Sequence, residues 1–275
     1  MKSPLVTIIM AAFNARKYIE EAITSVINQN YENWELIIVN DGSIDKTGDI
    51  IMTFNDQRIK SLSQENNGVS SARNLAIQVM QGEFLCFLDA DDVLPPNSIR
   101  SRMKIFMSNP DIDYVDGVVI YTDKDLMPTG VIYQPSFEGK PMKNLLKLER
   151  RCLFGNTWMI RVHTNVNYWF DEDLSHSEDV YFYLTICHQQ EGLYTYTKSP
   201  ILLYRKGDIT AMSNILALAK GYKLLLDKVR TNKMGTRRQI ANLRWKLSKI
   251  TFLSFLFDAK DLKSAITFPL KFWQS

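Results

Sequence analysis

Very little in this chain of 275 residues could bind a soft metal or form a disulfide. It has three cysteines, Cys86, Cys152 and Cys187, in apolar or aromatic surroundings and with no C-x-x-C pair. They read as buried thiols of a reducing compartment, not as a disulfide framework or a zinc site. The three histidines, His163, His176 and His188, share no metal-ligand spacing. Glycine is sparse where a phosphate cradle would need it. The first turn, Ala11-Ala12-Phe13-Asn14-Ala15, contains none, and no Walker-type loop occurs, which excludes the usual dinucleotide and P-loop folds. No apolar run approaches the ~18 residues of a membrane-spanning helix. The opening MKSPLVTIIMAAFN runs straight into a strand pattern with no cleavage signal, so it is read as structure and not as a signal peptide.

What is present is an ordinary globular composition, 45% hydrophobic and 23% charged, which excludes disordered and collagenous classes. The net charge of +3 conceals an asymmetry. From Lys220 to Ser275 there are 13 Lys/Arg and 3 Asp/Glu, a net +10, so the first 219 residues carry −7. An acidic body with a basic tail suggests two tasks.

Along the body, apolar runs alternate with helical periodicity. Residues 5–12, 34–39, 58–63 and 83–88 read as strands, with helices between them and a further helix after Pro95-Pro96. Such alternation implies an α/β domain: a Rossmann-like, mostly parallel sheet with helices on both faces. Right-handed crossovers place the strand C-termini on one edge, where open α/β sheets bind ligands. From 112 to 135 the pattern changes to strands with turns at Asp123 and Pro128. A helix over 177–189, strands at 193–197 and 200–205, and helices from about 210 follow.

Four features carry chemistry. In FLCFLDADDV an apolar strand ends in Asp89, Asp91 and Asp92, a charge density that repels itself unless a cation sits within it. Hard divalent ions take carboxylate oxygens and bridge to phosphate, so Asp89 and Asp91 are candidate ligands. The structural alternative is a solvated turn with Asp92 as a helix cap. Asn40-Asp41-Gly42-Ser43 closes the second strand and is also an ordinary turn; Asp41 there could accept hydrogen bonds from a base or ribose. In the third segment, Gly68 permits close backbone approach, and Arg73 on the following helix could reach an anion. Fourth, Glu178 and Asp179 open a helix, which suits its dipole and would also hold a catalytic base rigidly.

In this order and spacing the motifs resemble the family-2 glycosyltransferases of the GT-A fold, over about residues 4–205. VTIIMAAFN, VNDGS, ENNGVSSARN, DADD and FDEDLSHSEDVYF carry the resemblance. It implies an inverting enzyme that moves a sugar from a nucleotide-sugar donor, a UDP-sugar by preference, to a hydroxyl of a glycan or lipid-linked acceptor. It also implies a divalent metal, Mn2+ or Mg2+. Asp41 would contact the base beside the main chain of Ala11, Ala12 and Phe13. Gly68, Arg73 and Ala90 would lie near the nucleotide. Asp89 would meet the ribose or metal, Asp91 would hold the metal, and Asp179 would be the general base. Ala11 stands where the family has proline, and Phe13 where it has tyrosine. The histidine that often follows the family's late Tyr-Arg is absent after Tyr204-Arg205, where Asp208 is the candidate substitute. Trp158, Tyr168 and Trp169 are candidates for the acceptor pocket, with core packing as their alternative. Two rival readings are a non-catalytic nucleotide- or glycan-binding module and a haloacid-dehalogenase-like phosphotransferase using Asp89.

The domain division expected is 1–209 for the GT-A catalytic domain and 210–275 for a basic amphipathic helical extension. Arg237, Arg238, Arg244, Lys246 and Lys249 accompany Ile240, Leu243, Leu247, Ile250 and Leu253, with Trp245, Phe252, Phe255, Phe257, Phe268, Phe272 and Trp273 interleaved. Residues 235–275 therefore suit an anionic membrane surface, the alternatives being packing on the catalytic domain or on a second subunit. This places the protein in the cytoplasm, peripheral at the inner face of the cell membrane. Nucleic acid is not expected as a partner, because no recognised module accompanies the charge. Self-association is left open.

Overall fold

The computed structural model describes residues 3–206 and 215–258, together with Thr267. The chain opens with β1 (Val6–Ala12), α1 (Ile19–Ile27), β2 (Trp34–Asp41), α2 (Thr47–Met52), β3 (Ile59–Gln64), α3 (Val69–Ile77), β4 (Phe84–Phe87) and α4 (Ser98–Ser108). It continues through β5 (Ile112–Thr122), β6 (Pro128–Tyr133), α5 (Met142–Leu146), β7 (Met159–Arg161), α6 (Glu178–Gln189) and β8 (Leu193–Arg205). Helices α7 (Ile215–Thr231) and α8 (Arg237–Leu253) follow, and α8 runs into a short π-helical turn, Ser254–Asp258.

All eight strands join one sheet in the order β3-β2-β1-β4-β7-β5-β6, with β8 paired to β5. β1, β2, β3 and β4 are mutually parallel. Their near-continuous apolar runs are explained by burial on both faces: Val6, Ile8, Met10 and Leu36 face one core, and Ile9, Ile37 and Val39 the other. The first core is closed by α1 and α4. The second holds residues from α3, α5, α6, α7 and α8.

Several local expectations are corrected. β7 was not foreseen; three residues are too few for a period, yet they sit antiparallel between β4 and β5. The strands expected at 193–197 and 200–205 are one, β8, whose register against β5 slips around Pro200. Pro128 begins β6 at the sheet edge, where its missing N–H costs no ladder bond. Asp92 does not cap the helix after it. Asn97 occupies that position, and Asp92 is buried, accepting a hydrogen bond from the Arg205 main-chain N–H at 2.8 Å.

The apolar stripe of α8 packs on the body. Leu243 and Leu247 are fully buried in the core that also contains Ile9, Phe87 and Phe182, whereas Leu253 is 38% exposed. Thr236 caps the helix: its side chain accepts from Gln239 N–H, and the Gln239 side chain accepts from Thr236 N–H. Phe268, Phe272 and Trp273 lie outside the described residues, as does Asp208. The three cysteines are buried thiols, and burial pushes Cys152 up to about 12. Among the described residues no helix is long and apolar enough to cross a membrane.

Candidate active site

The C-terminal ends of β1, β2 and β4 lie side by side, and the residues leaving them form the site. At the end of β2, Asp41 is buried, and its carboxylate is committed to the loop before α3. It accepts from Gln64 Nε2 at 2.7 Å and from the main-chain N–H groups of Asn67 and Gly68 at 2.9 Å each. Gly68 has φ +88°, and no heavy atom lies within 4 Å of where a side chain would begin, so backbone here is open to close approach. The main-chain N–H of Asn14 donates to Ser43 Oγ at 3.0 Å, which ties the β1–α1 loop to the turn after β2.

One turn into α3, Arg73 is buried, at 4% exposed. Its guanidinium donates to Asp89 at 2.9 Å and pairs with Glu178 at 3.5 Å. The ring of Phe170 lies under it at 5.1 Å. Asn156, with its amide oxygen turned to the guanidinium, accepts two further bonds at 2.9 and 3.1 Å. A buried cation that satisfies its donors on three side chains from distant loops is a fixed strut. It sets the distance between β4 and the start of α6.

β4 ends at Phe87, so Asp89 and Asp91 project from loop backbone, and both are exposed. The loop is held from behind by Arg205 at the end of β8. Its Nε donates to the Asp91 carbonyl at 2.8 Å, a second donor meets the Lys124 carbonyl, and a third reaches Glu21 at 2.6 Å. A cleft of about 430 Å³ lies in front. Ala11, Phe13, Tyr18, Val69, Arg73, Asp89, Ala90, Asp91 and Glu178 line it. Its size falls within the range of small-molecule sites. A larger groove of about 530 Å³, on α7 and α8, has no carboxylate in its lining.

The cleft is crowded with negative charge. Asp91 reaches solvent but is flanked by protein, and this loss of water, then the charge of Asp89, raises its carboxyl above the ordinary range. Burial, then Asp89 and Asp91, pushes Asp92 well up. Glu178 is raised to about 7 by burial and by the neighbouring Asp179, and burial raises Asp179 as well. Asp89, Asp91, Asp92, Glu178 and Asp179 are faced by two guanidiniums, those of Arg73 and Arg205.

Of the residues singled out in the sequence, Ala11, Phe13, Arg73, Asp89, Ala90 and Asp91 meet at this cleft. Ala12 is buried beneath it, and Asp41 sits behind the loop it ties. Asp179 does not line the cleft; its carboxylate accepts the Val180 N–H at 2.7 Å. Glu178 does line it, a role the sequence could not assign because neighbours on a helix point about 100° apart and either could face inward. Asn156 carried no sequence signal, and Arg205 entered the sequence reading only through the late Tyr204-Arg205 pair, with no role of its own. Trp158 and Tyr168 are not acceptor contacts. Trp158 is fully buried, stacked on Tyr183 at 4.1 Å, with its indole N–H donating to the Cys152 carbonyl at 2.9 Å. Tyr168 is buried and bonds to Arg161 and His163. Trp169 is 40% exposed.

Among the described residues no three His, Cys, Asp or Glu side chains form a cluster able to hold a metal alone. Asp89 and Asp91 supply hard oxygen donors only, the set that suits Mg2+ or Mn2+ completed by phosphate and water. In that sense the residues fit a divalent ion that arrives with a phosphorylated ligand.

Residues 7–180 match the family model for glycosyl transferase family 2. This chain belongs to that family. It is 33% identical over 188 residues to the UDP-Glc:alpha-D-GlcNAc-diphosphoundecaprenol beta-1,3-glucosyltransferase WfgD of Escherichia coli, covering 68% of this chain and 71% of that protein. It is 29% identical over 215 residues to the putative glycosyltransferase EpsH of Bacillus subtilis strain 168; this covers 74% of the chain but only 62% of EpsH. Among solved structures, S. aureus TarS 1-349 in complex with UDP-GlcNAc matches with a TM-score of 0.65 at 18% identity, over 92% of this chain and 73% of that one. The mannosyltransferase PcManGT of Pyrobaculum calidifontis, in complex with GDP-Man and Mn2+, matches with a TM-score of 0.61 at 14% identity, over 96% and 78%. At these identities the structural likeness establishes the GT-A-type fold of this glycosyltransferase. Nothing in these matches favours the phosphotransferase or non-catalytic readings.

Proposed function

We propose that this family-2 glycosyltransferase transfers a hexose, with inversion, from a nucleoside diphosphate sugar to a hydroxyl of a glycan or lipid-linked acceptor. The convergence of Arg73, Asp89, Asp91 and Glu178 on one cleft at the sheet edge carries this reading. UDP is the favoured nucleotide and a lipid-linked glycan the favoured acceptor, because WfgD is a glucosyltransferase from UDP-Glc to alpha-D-GlcNAc-diphosphoundecaprenol; cell-surface polysaccharide is the favoured product. The base and ribose would lie along the main chain of Ala11 to Phe13, with Asp41 fixing the loop around Gly68 that closes their side. Asp89, held by Arg73, would meet the ribose or the metal, and Asp91 would hold a Mn2+ or Mg2+ ion together with the donor's phosphates. That ion would supply Lewis-acid stabilisation of the departing diphosphate in a site whose own charge is unfavourable to it.

Asp179 is the proposed general base. Glu178 is occupied with Arg73 and positions that strut, whereas the Asp179 carboxylate accepts main-chain N–H groups at the start of its own helix. Its raised pKa makes it a better proton acceptor than an ordinary aspartate. As the acceptor oxygen attacks the anomeric carbon, its proton passes to Asp179, the bond to the diphosphate breaks on the opposite face, and the configuration inverts. Residues 1–209 are the proposed catalytic domain. Residues 210–275 are a basic extension that holds this domain at an anionic membrane surface, where a lipid-linked acceptor resides.

The test is transfer or donor hydrolysis with a panel of nucleotide sugars, with Mn2+ or with chelator. Chelation and Asp91→Ala should each cut turnover by at least ~100-fold, since both remove charge stabilisation of the leaving group. Full turnover after exhaustive chelation would end the reading.

A further inference from the structure

We propose, on the metal reading of the proposed function, that Arg205 is a positioning residue for the divalent ion: it grips the backbone under Asp91, braces it against the opposite wall of the cleft, and so sets the affinity of the site for Mn2+. The Asp91 side chain is exposed, so where its carboxylate stands is decided by the backbone beneath it.

That backbone lies against the end of β8 as against a splint. Val93 N–H donates to the Leu203 carbonyl at 3.2 Å, and Leu203 N–H donates to the Val93 carbonyl at 2.8 Å. Two residues along, the Arg205 N–H donates to the Asp92 carboxylate at 2.8 Å, and Arg205 Nε donates to the Asp91 carbonyl at 2.8 Å. Residues 91–93 are thus each held to one strand end. The strand end is anchored in turn on β5. Thr122 Oγ1 donates to the Tyr204 carbonyl at 3.2 Å, and the Lys206 N–H donates to the Thr122 carbonyl at 3.0 Å.

The Arg205 side chain does more than these main-chain bonds, because it also reaches across the cleft. Its other donors meet the Lys124 carbonyl, in the turn between β5 and β6, and Glu21 of α1 at 2.6 Å. Its guanidinium lies over the ring of Tyr18 at 4.4 Å. Tyr18 and Asp91 line the same cleft, and Arg205 is only 4% exposed. One buried side chain therefore spaces the α1 wall from the wall that carries Asp91. A guanidinium suits this task because its donors form a rigid planar fork; the ammonium of a lysine is a single point on a flexible stem. Small divalent ions accept little departure from octahedral geometry, so a shift of the Asp91 backbone is felt at the metal.

The test is binding to the full chain, independent of turnover. UDP, or GDP where wild type prefers it, is titrated by calorimetry in Mn2+ and in EDTA. Free Mn2+ is followed by electron paramagnetic resonance as it is added to the nucleotide-saturated protein. Groups that orient a metal ligand from behind are worth roughly 10–100-fold in metal affinity, so half-saturating Mn2+ should rise by that factor in Arg205→Gln and by at least about tenfold in Arg205→Lys. Nucleotide affinity in EDTA should stay within about threefold of wild type in both, as should every reading for Glu21→Gln, whose ion pair with Arg205 is 55% exposed on the glutamate side. Arg205→Lys keeps the charge, so its loss reports geometry, and it carries the test if Arg205→Gln does not fold. A folded Arg205→Lys with wild-type Mn2+ affinity overturns the assignment. So does an equal loss of nucleotide affinity in Mn2+ and in EDTA, which would place the effect on the α1 wall alone. Failure of both variants to fold would make Arg205 a structural residue and also overturn it. A wild type whose nucleotide affinity is no higher in Mn2+ than in EDTA overturns the metal reading itself, and this inference with it.

Discussion

Asp179→Asn separates the two carboxylates that open α6. The change keeps the shape of the side chain and an oxygen for the Val180 N–H, which Asp179 now accepts at 2.7 Å, so the helix start should survive. What is lost is proton affinity. A positioned base contributes roughly 10²–10⁴ in rate, or about 3–5 kcal/mol of barrier, and kcat should fall by that amount while donor KM holds. Glu178→Gln should act differently. The Arg73–Glu178 contact is long, 3.5 Å, so neutralising one partner should cost about 1 kcal/mol, the worth of an ordinary hydrogen bond and below that of a well-formed charged one, or about fivefold in donor KM. The assay is steady-state kinetics from pH 5 to 9 with both variants confirmed folded by circular dichroism. Wild-type kcat/KM should fall on the acid side, because the base works only unprotonated, and that limb should lie above the ordinary aspartate range since burial raises Asp179. Glu178→Gln should keep the limb. If Asp179→Asn stays within tenfold of wild type while Glu178→Gln loses a hundredfold in kcat, the roles are reversed and Glu178, raised to about 7, is the base.

Two further outcomes test the rest of the structure. Trp158→Ala should destabilise by about 3–5 kcal/mol in urea unfolding, since it removes a fully buried ring stacked on Tyr183, whereas Trp169→Ala should cost under about 1 kcal/mol. Equal, small effects would return Trp158 to the surface. The metal-free protein should gain thermal stability as pH falls from about 7 to about 5. Asp91, Asp92, Asp116, Glu178 and Asp179 all have raised folded values, with Asp116 at about 6 through burial, so the native state takes up protons that the unfolded chain does not. The lowered groups, Asp45, Asp56 and Glu191, reduce stability only at lower pH. A melting temperature that drops steadily over this window would contradict these environments.

The sequence by itself determined the α/β alternation, the edge on which β1, β2 and β4 end, and the acidic loop after β4. These follow from local periodicity, and runs such as VTIIMAA and FLCF between helical segments suit strands buried on both faces of a sheet. The motif order was enough to point to the family. Only the tertiary structure decided what each side chain meets. Arg73, Asp89, Asn156 and Glu178 come from four separate segments, and their convergence depends on crossovers that no local pattern records. Trp158 could have faced a sugar or a core, because its hydrophobicity is the same in both; the placement of Tyr183 behind it chose the core. The stripe of α8 likewise announced an apolar face without saying what covers it, and the answer was the body of the enzyme, which left Arg237, Arg238, Lys249 and Trp245 outside. Periodicity reports that a surface needs a partner; only packing names the partner.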